Sequence, residues 1–299
     1  MNFAAITHGT GNGMLRYAKP HSLEEALALL AEEPWRILAG GTDFYPALGA
    51  RPLRENVLDI NALSELRGIA EDDSHLVIGG RATWTAIAHA DLPPSFDALK
   101  AAAREVGSIQ IQNVGTVAGN LCNASPAADG VPALMALDAE VELRSADTMR
   151  RLPLEKFILG NRKTAIRPGE MVTAIRVAKA SAKGSSAFVK LGARRYLVIS
   201  IAMAAARLVP APDGRIAEAA IAIGSCSAVA QRLPALEAAL VGLPADASLA
   251  HAVKAEHLAG LTPIDDVRGS REYRIEAARE IVARALLRAA GVAETELAA

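Results

Sequence analysis

Between residues 106 and 129 the chain reads VGSIQIQNVGTVAGNLCNASPAAD, a run of glycines, asparagines, serines and small apolar side chains that ends at one acid, Asp129. Such a bare stretch reads as a loop whose main chain is meant to be approached closely. Successive backbone N–H groups in a turn form a concave nest for an anion, and glycine lets a ligand reach the main chain. The nest falls on Thr116, Val117, Ala118, Gly119 and Asn120. A second segment of the same kind, Ala39-Gly40-Gly41-Thr42-Asp43, leaves a short apolar run and enters FYPAL, where a helix N-terminus would add a favourable dipole. The two could cradle one pyrophosphate, with the hydroxyls of Thr42, Thr116 and Ser125 donating to it.

Neither segment has the spacing of a known phosphate motif. AGGTD lacks the lysine and the glycine interval of a P-loop, and no G-x-G-x-x-G follows a strand, so neither a Rossmann nor a kinase-like site is supported.

The surrounding sequence reads as three units. Leu15 to Ala18 is a strand, and HSLEEALALLAEEP is an amphipathic helix with Ser22 and Glu25 placed as a capping box. WRIL and ENVLDI are two further short strands. This α/β unit gives way near Leu66 to a larger α+β unit, with a strand at HLVIGG, helices from Thr83 and over Ser95 to Glu105, a short helix and strand in PALMALDAEVELRS, and a strand after the Pro-Gly turn of RPGEMVTAIRV. KASAKGSS, residues 179–186, is the linker. Three strand-like runs and then helical patterns follow, which suggests an antiparallel sheet with helices on one face. The expected division is an extension over 1–13, subdomains over about 14–65 and 66–180, and a C-terminal domain over 186–299.

Composition removes whole classes of function. With 32 basic and 33 acidic residues the net charge is −1, so no reservoir of cations awaits a nucleic-acid backbone. The longest apolar run, Leu197 to Ala206, is broken by Ser200 and is far shorter than the ~20 residues of a membrane helix. The first thirteen residues lack a signal peptide's basic start and apolar segment. Two distant cysteines offer neither a disulfide framework nor a cluster spacing, as suits the reducing cytoplasm. Single residues also have plain structural readings. Asp43 and Asp129 could cap helices, Lys190 could snorkel at a strand edge, and Cys122 could be a small buried apolar group. No nucleophile–base pair or paired catalytic carboxylates stand out, and no metal site does.

ILAGGTD, IQIQNVGTVAGNLCNASPAAD, FVKLGARR and DDVRGSREYR, in this order and at these intervals, resemble the FAD-binding medium subunit of the molybdenum hydroxylases, the xanthine dehydrogenase and carbon monoxide dehydrogenase family. The resemblance runs from about Leu15 to the C-terminus. It implies an α+β flavin domain of the vanillyl-alcohol-oxidase (PCMH) type, two subdomains with FAD between them, followed by the family's α+β C-terminal domain. It also implies positions. Ile37, Leu38, Ala39, Gly40, Gly41, Thr42, Asp43 and Phe44 would form the first dinucleotide loop, and Thr116, Val117, Ala118, Gly119 and Asn120 the second. Val106 and Gly107 would line the flavin, and Asp129 would bond a ribose hydroxyl. Met171 and Val172 would flank the adenine or the ring, and Lys190 would lie near the flavin carbonyl edge, where an ammonium favours the reduced form.

On this resemblance the chain is an oxidoreductase subunit in a heterotrimer. Hydroxylation would occur in a molybdopterin-binding large subunit, electrons would pass through a [2Fe–2S] small subunit, and FAD would hand them to NAD⁺ or another acceptor. The family commonly has a glycine where this chain has Ala118, which would put a methyl near the ligand. Members with an extra iron–sulfur cluster carry several cysteines near Cys122; here it stands alone, so no cluster is expected. Two other readings compete: a scaffold or maturation factor that lost the cofactor, for which Ala118 is the sequence support, and a self-sufficient FAD oxidase.

Overall fold

The computed structural model describes residues 4–5, 15–194 and 197–292; the remainder of the 1–13 extension lies outside these. β1 (Ala4–Ala5) pairs antiparallel with β2 (Arg16–Ala18), and α1 (Leu23–Glu32) leads to β3 (Arg36–Leu38). α2 (Phe44–Leu48) and β4 (Val57–Asp59) follow, and the sheet order is β1-β2-β4-β3 with β4 parallel to both neighbours. Leu23, Ala26, Leu27 and Leu30 of α1 pack on Leu58, as their helical spacing requires. Ser22 caps α1 by accepting from the Glu25 N–H, while the Glu25 carboxylate reaches back to the His21 N–H, one residue earlier than a capping box places it.

The second unit is built on β5 (Ile69–Glu71), β6 (His75–Gly79), α3 (Trp84–His89), α4 (Asp97–Glu105), α5 (Ile109–Val114), α6 (Val117–Asn123), α7 (Gly130–Ala136), β7 (Glu140–Arg144), β8 (Met149–Pro153), α8 (Leu154–Phe157), β9 (Ile158–Gly160), β10 (Lys163–Thr164) and β11 (Met171–Ala178). Its sheet runs β5-β6-β11-β7-β8, antiparallel throughout, with β9 and β10 as a separate hairpin. The bare stretch is therefore not a loop. It folds into α5 and α6, of six and seven residues. Thr116 starts α6 by accepting from the Gly119 N–H at 3.0 Å, and Val117, Ala118 and Leu121 bury one face in the core. Cap and burial prevail over poor helix formers.

The third unit contains β12 (Ser185–Leu191), β13 (Ala202–Pro210), β14 (Ile216–Gly224), β15 (Gln231–Arg232), α9 (Pro234–Leu240) and α10 (Arg271–Ala289). Its sheet is antiparallel in the order β12-β13-β14-β15. Ser185 and Ser186, read as the end of the linker, are strand residues. Ser186 Oγ accepts from the Ala98 N–H and donates to the Ser95 carbonyl, which stitches this sheet to the preceding unit. Helices cover both faces rather than one. Strand alternation sends Val189, Ala204 and Ile221 toward α9 and α10, and Phe188, Met203, Ala205 and Ala222 into the core that α4 and α7 share. No helix among the described residues is long and apolar enough to cross a membrane.

Candidate functional site

The two glycine segments meet. Gly40 follows β3 and lies flat against the end of α5, so that a β-carbon on it would fall 1.9 Å from the Val114 carbonyl oxygen. A β-carbon on Gly115 would fall 3.4 Å from Thr42 Oγ1 and 2.8 Å from the Ile111 carbonyl oxygen, and one on Gly119 would meet Thr116 Oγ1 at 2.8 Å. These glycines are thus required by the protein's own close packing, not by a ligand pressed against their α-carbons. What the crossing leaves open is the N–H edge. Among the described residues, the N–H groups of Gly40, Gly41, Thr42 and Asp43 donate no hydrogen bond. The loop is fixed from behind by Asn61, whose amide donates to the Ala39 carbonyl at 2.7 Å. Ile37 and Leu38 belong to β3; Phe44 opens α2, with the Arg36 guanidinium 4.4 Å over its ring. Asp43 precedes α2 without capping it.

A second cluster lies at the other end of α5. Asp129 is buried; it does not cap α7, but accepts from Lys190 Nζ at 2.8 Å and from Ser200 Oγ at 2.9 Å. Lys190, on the edge strand β12, is buried rather than snorkelling, and also reaches the Glu105 carbonyl at 3.4 Å. Glu105 directly precedes Val106 and Gly107, so the pair sits beside the predicted flavin-lining residues. Burial pushes the Asp129 carboxyl up from the ordinary carboxylate range, against the pull of Lys190 and Ser200. Ile111 links the clusters: it packs on Gly107, which has φ +55°, and its carbonyl accepts from the Gly115 N–H.

Met171 is buried in the core of the first unit and Val172 in that of the second, so both side chains are engaged in packing. Ser125 Oγ accepts from the Ala127 N–H. Ala118 points its methyl into the core, not toward the open N–H edge. Cys122 is exposed, contrary to its reading as a buried apolar group, whereas Cys226 is buried. Among the described residues no group of His, Cys, Asp and Glu could hold a metal ion.

The geometry suits an extended anionic cofactor. Open amides at one end can bind a diphosphate, the Lys190 ammonium at the other lies near where a ring would be lined, and Asn120 Oδ1 is buried without a hydrogen-bond partner in the first turn of α6. A buried acceptor in that state is costly unless something supplies a donor. Sequence reasoning missed the polar residues Asn61, Arg67, Arg81 and Asn113, which line a cavity of about 570 Å³ reaching Gly40 and Thr116. Arg67 and Arg81 stand just beyond a 3-10 turn and a strand, Asn61 lies in a short 3-10 turn and Asn113 in the last turn of α5, and no local pattern marks any of them.

Comparisons with known proteins bear on this arrangement. Residues 13–179 match the family described as FAD binding domain in molybdopterin dehydrogenase, and residues 187–289 match the CO dehydrogenase flavoprotein C-terminal domain. The caffeine dehydrogenase subunit beta of Pseudomonas sp. (strain CBB1) is 34% identical over 92% of this chain and 94% of its own length. The carbon monoxide dehydrogenase medium chain of Afipia carboxidovorans is 30% identical, over 93% of this chain and 97% of the relative. Among solved structures, reconstituted CO dehydrogenase from Oligotropha carboxidovorans superposes with a TM-score of 0.82 at 29% identity, covering 95% of this chain and 100% of that one.

Proposed function

Because the chain belongs to the family of FAD-binding medium subunits of the molybdenum hydroxylases, we propose that it carries electrons between an iron–sulfur partner and a soluble acceptor within a three-subunit oxidoreductase. The partners would be a molybdopterin-binding large subunit, where substrate is hydroxylated, and a [2Fe–2S] small subunit. NAD⁺ or another acceptor would take the electrons from FAD.

The observation that carries this reading is the meeting of Gly40 with Val114, which brings four undonated N–H groups beside the Thr116 turn. Gly40 to Asp43 would hold the diphosphate, with the Thr42 and Thr116 hydroxyls alongside, and Asn120 Oδ1 would accept a hydrogen bond from a cofactor hydroxyl. Val106, Gly107, Asp129 and Lys190 would border the ring end. Bound FAD would supply reversible exchange of one or two electrons. The chain's own groups supply position and charge, so no acid–base pair is needed here. The scaffold reading loses its sequence support, since the Ala118 methyl lies in the core.

Flavin content and reduction test the proposal. The purified chain should bind FAD stoichiometrically and be reduced by an artificial reductant but not by a panel of organic substrates. Adding an iron–sulfur partner and the large subunit should make reduction substrate-dependent, with electrons delivered to NAD⁺ or to another added acceptor. A chain that stays colourless after incubation with FAD refutes the assignment, and direct reduction by an organic substrate would make it an oxidase instead.

A further inference from the structure

DDVRGSREYR, residues 265–274, opens α10 in the third unit, which supplies neither glycine turn. Most of its polar side chains serve the segment itself. Asp265 accepts from the Arg271 N–H at 2.7 Å, Asp266 accepts from the Arg268 N–H at 2.8 Å, and Ser270 caps α10 by accepting from the Tyr273 N–H. Arg274 reaches outward instead. It is only 2% exposed, and arginine is almost never fully buried unless it is paired. Asp266 holds its Nη2 at 2.6 Å, which fixes the plane of the guanidinium. Nη1 then donates to the Ile201 carbonyl at 2.5 Å, with a longer contact to the Ser225 carbonyl at 3.4 Å.

Both carbonyls lie one link from the knot of Asp129, Lys190 and Ser200. Ile201 follows Ser200, whose hydroxyl donates to Asp129, and the Ile201 N–H donates at 2.8 Å to the carbonyl of Leu191, the residue after Lys190. On the other side, the Ser225 N–H donates at 3.0 Å to the Pro126 carbonyl, three residues before Asp129. Ser225 has φ +62°, a conformation that persists only where the surroundings impose it. One side chain therefore ties together the segments that carry Asp129 and both of its donors. A buried ion pair is weak grounds for stability, because apolar side chains of equal volume often do as well; what the fork of Arg274 supplies is geometry.

We propose that Arg274, aimed by Asp266, is a positioning residue for electron exchange at the flavin: it keeps Ser200 on Asp129, so that the carboxylate is shared between two donors and the Lys190 ammonium still faces the ring. The inference rests on the flavin assignment for its redox consequence. Without Arg274 the Ser200 hydroxyl would drift from Asp129, and the carboxylate would draw more fully on Lys190. Less positive charge would then reach the ring, which disfavours the reduced flavin.

The midpoint potential of the FAD-loaded chain, read by equilibration with a reference dye, tests this. Arg274→Met should lower the potential while FAD stays bound. Arg274→Lys, which keeps the charge but not the fork, should lower it as well. Leu286→Ala, which opens a cavity beneath the same helix, should leave it unchanged whatever stability it loses. Should Arg274→Met fail to fold, Asp266→Asn replaces it, with a smaller shift in the same direction. Hydrogen exchange on the FAD-free chain reads the positioning by itself: the Ile201 and Ser225 amides should exchange faster in the arginine variants relative to amides inside β13, and not in Leu286→Ala. An unchanged potential in the arginine variants, full recovery in Arg274→Lys, an equal shift in Leu286→Ala, or unaltered exchange at the two amides overturns the proposal. A chain that shows the exchange effect but never retains FAD sinks the flavin assignment, and with it only the redox consequence.

Discussion

Gly40 is the residue on which the crossing turns. A methyl there would meet the Val114 carbonyl oxygen at 1.9 Å, and the two units would have to part to admit it. Gly40→Ala is expected to cost ~1–3 kcal/mol or more and to lose FAD, whereas Gly160→Ala, whose added carbon meets nothing within 4 Å, should stay within ~0.5 kcal/mol. Urea unfolding and flavin content read both. Ala118 gives the opposite test. Because its methyl is buried, Ala118→Gly should lose ~1 kcal/mol of stability with FAD affinity unchanged; tighter FAD binding would mean that the methyl crowds the cofactor. Lys190→Met strands the buried Asp129 carboxylate and should cost ~3–5 kcal/mol, most of it restored by adding Asp129→Asn. Failure of the second change to rescue would show that the pair is not the source of the loss. The sequence made these glycines conspicuous but not their partners. Gly40 and Val114 are far apart in the chain, and only the folded backbone reveals that one is bare because of the other.

At the level of elements, the salt bridge that anchors the start of β11 governs acid stability. Glu170 is buried and accepts from Arg150 twice at 2.7 Å and from the Arg167 N–H at 2.8 Å, bonds that hold its carboxyl below the usual glutamate range. A folded-state value lowered in this way stabilises the protein above the unfolded value and is lost as the pH falls through the folded one. The stability gap between wild type and Glu170→Gln should therefore be full above the ordinary glutamate value of 4.5 and close below it, as read from urea midpoints across pH; a gap that widens in acid would contradict this. Long, periodic elements such as α1 and α10 were legible because burial of one face writes itself into the spacing of leucines and alanines. α5 and α6 were not, since six or seven residues hold too few turns for a period, and Asn, Gly and Val argue against a helix until a cap and a core outweigh them. β8, β9 and β10 escaped for a related reason: short strands of mixed polarity acquire their partners only in three dimensions.

Across the whole molecule, the third sheet is a shared wall. Phe188, Met203, Ala205 and Ala222 on one face complete the core that α4 and α7 begin. A chain ending at residue 184 should expose those helices, bind a hydrophobic dye and self-associate in gel filtration. A monomeric, dye-silent fragment would show that the second unit closes its own core. Strands followed by helices announced the third unit from the sequence alone, but the cover on its far side was invisible, because it is borrowed from residues about a hundred positions earlier. The knot of Asp129 with Lys190 and Ser200 also joins residues remote in the chain, 61 and 71 positions apart. During synthesis, Asp129 leaves the ribosome well before either of its partners, and it must wait, solvated, until β12 and Ser200 arrive. Chains cut short before β12 would therefore carry both glycine turns yet lack this latch.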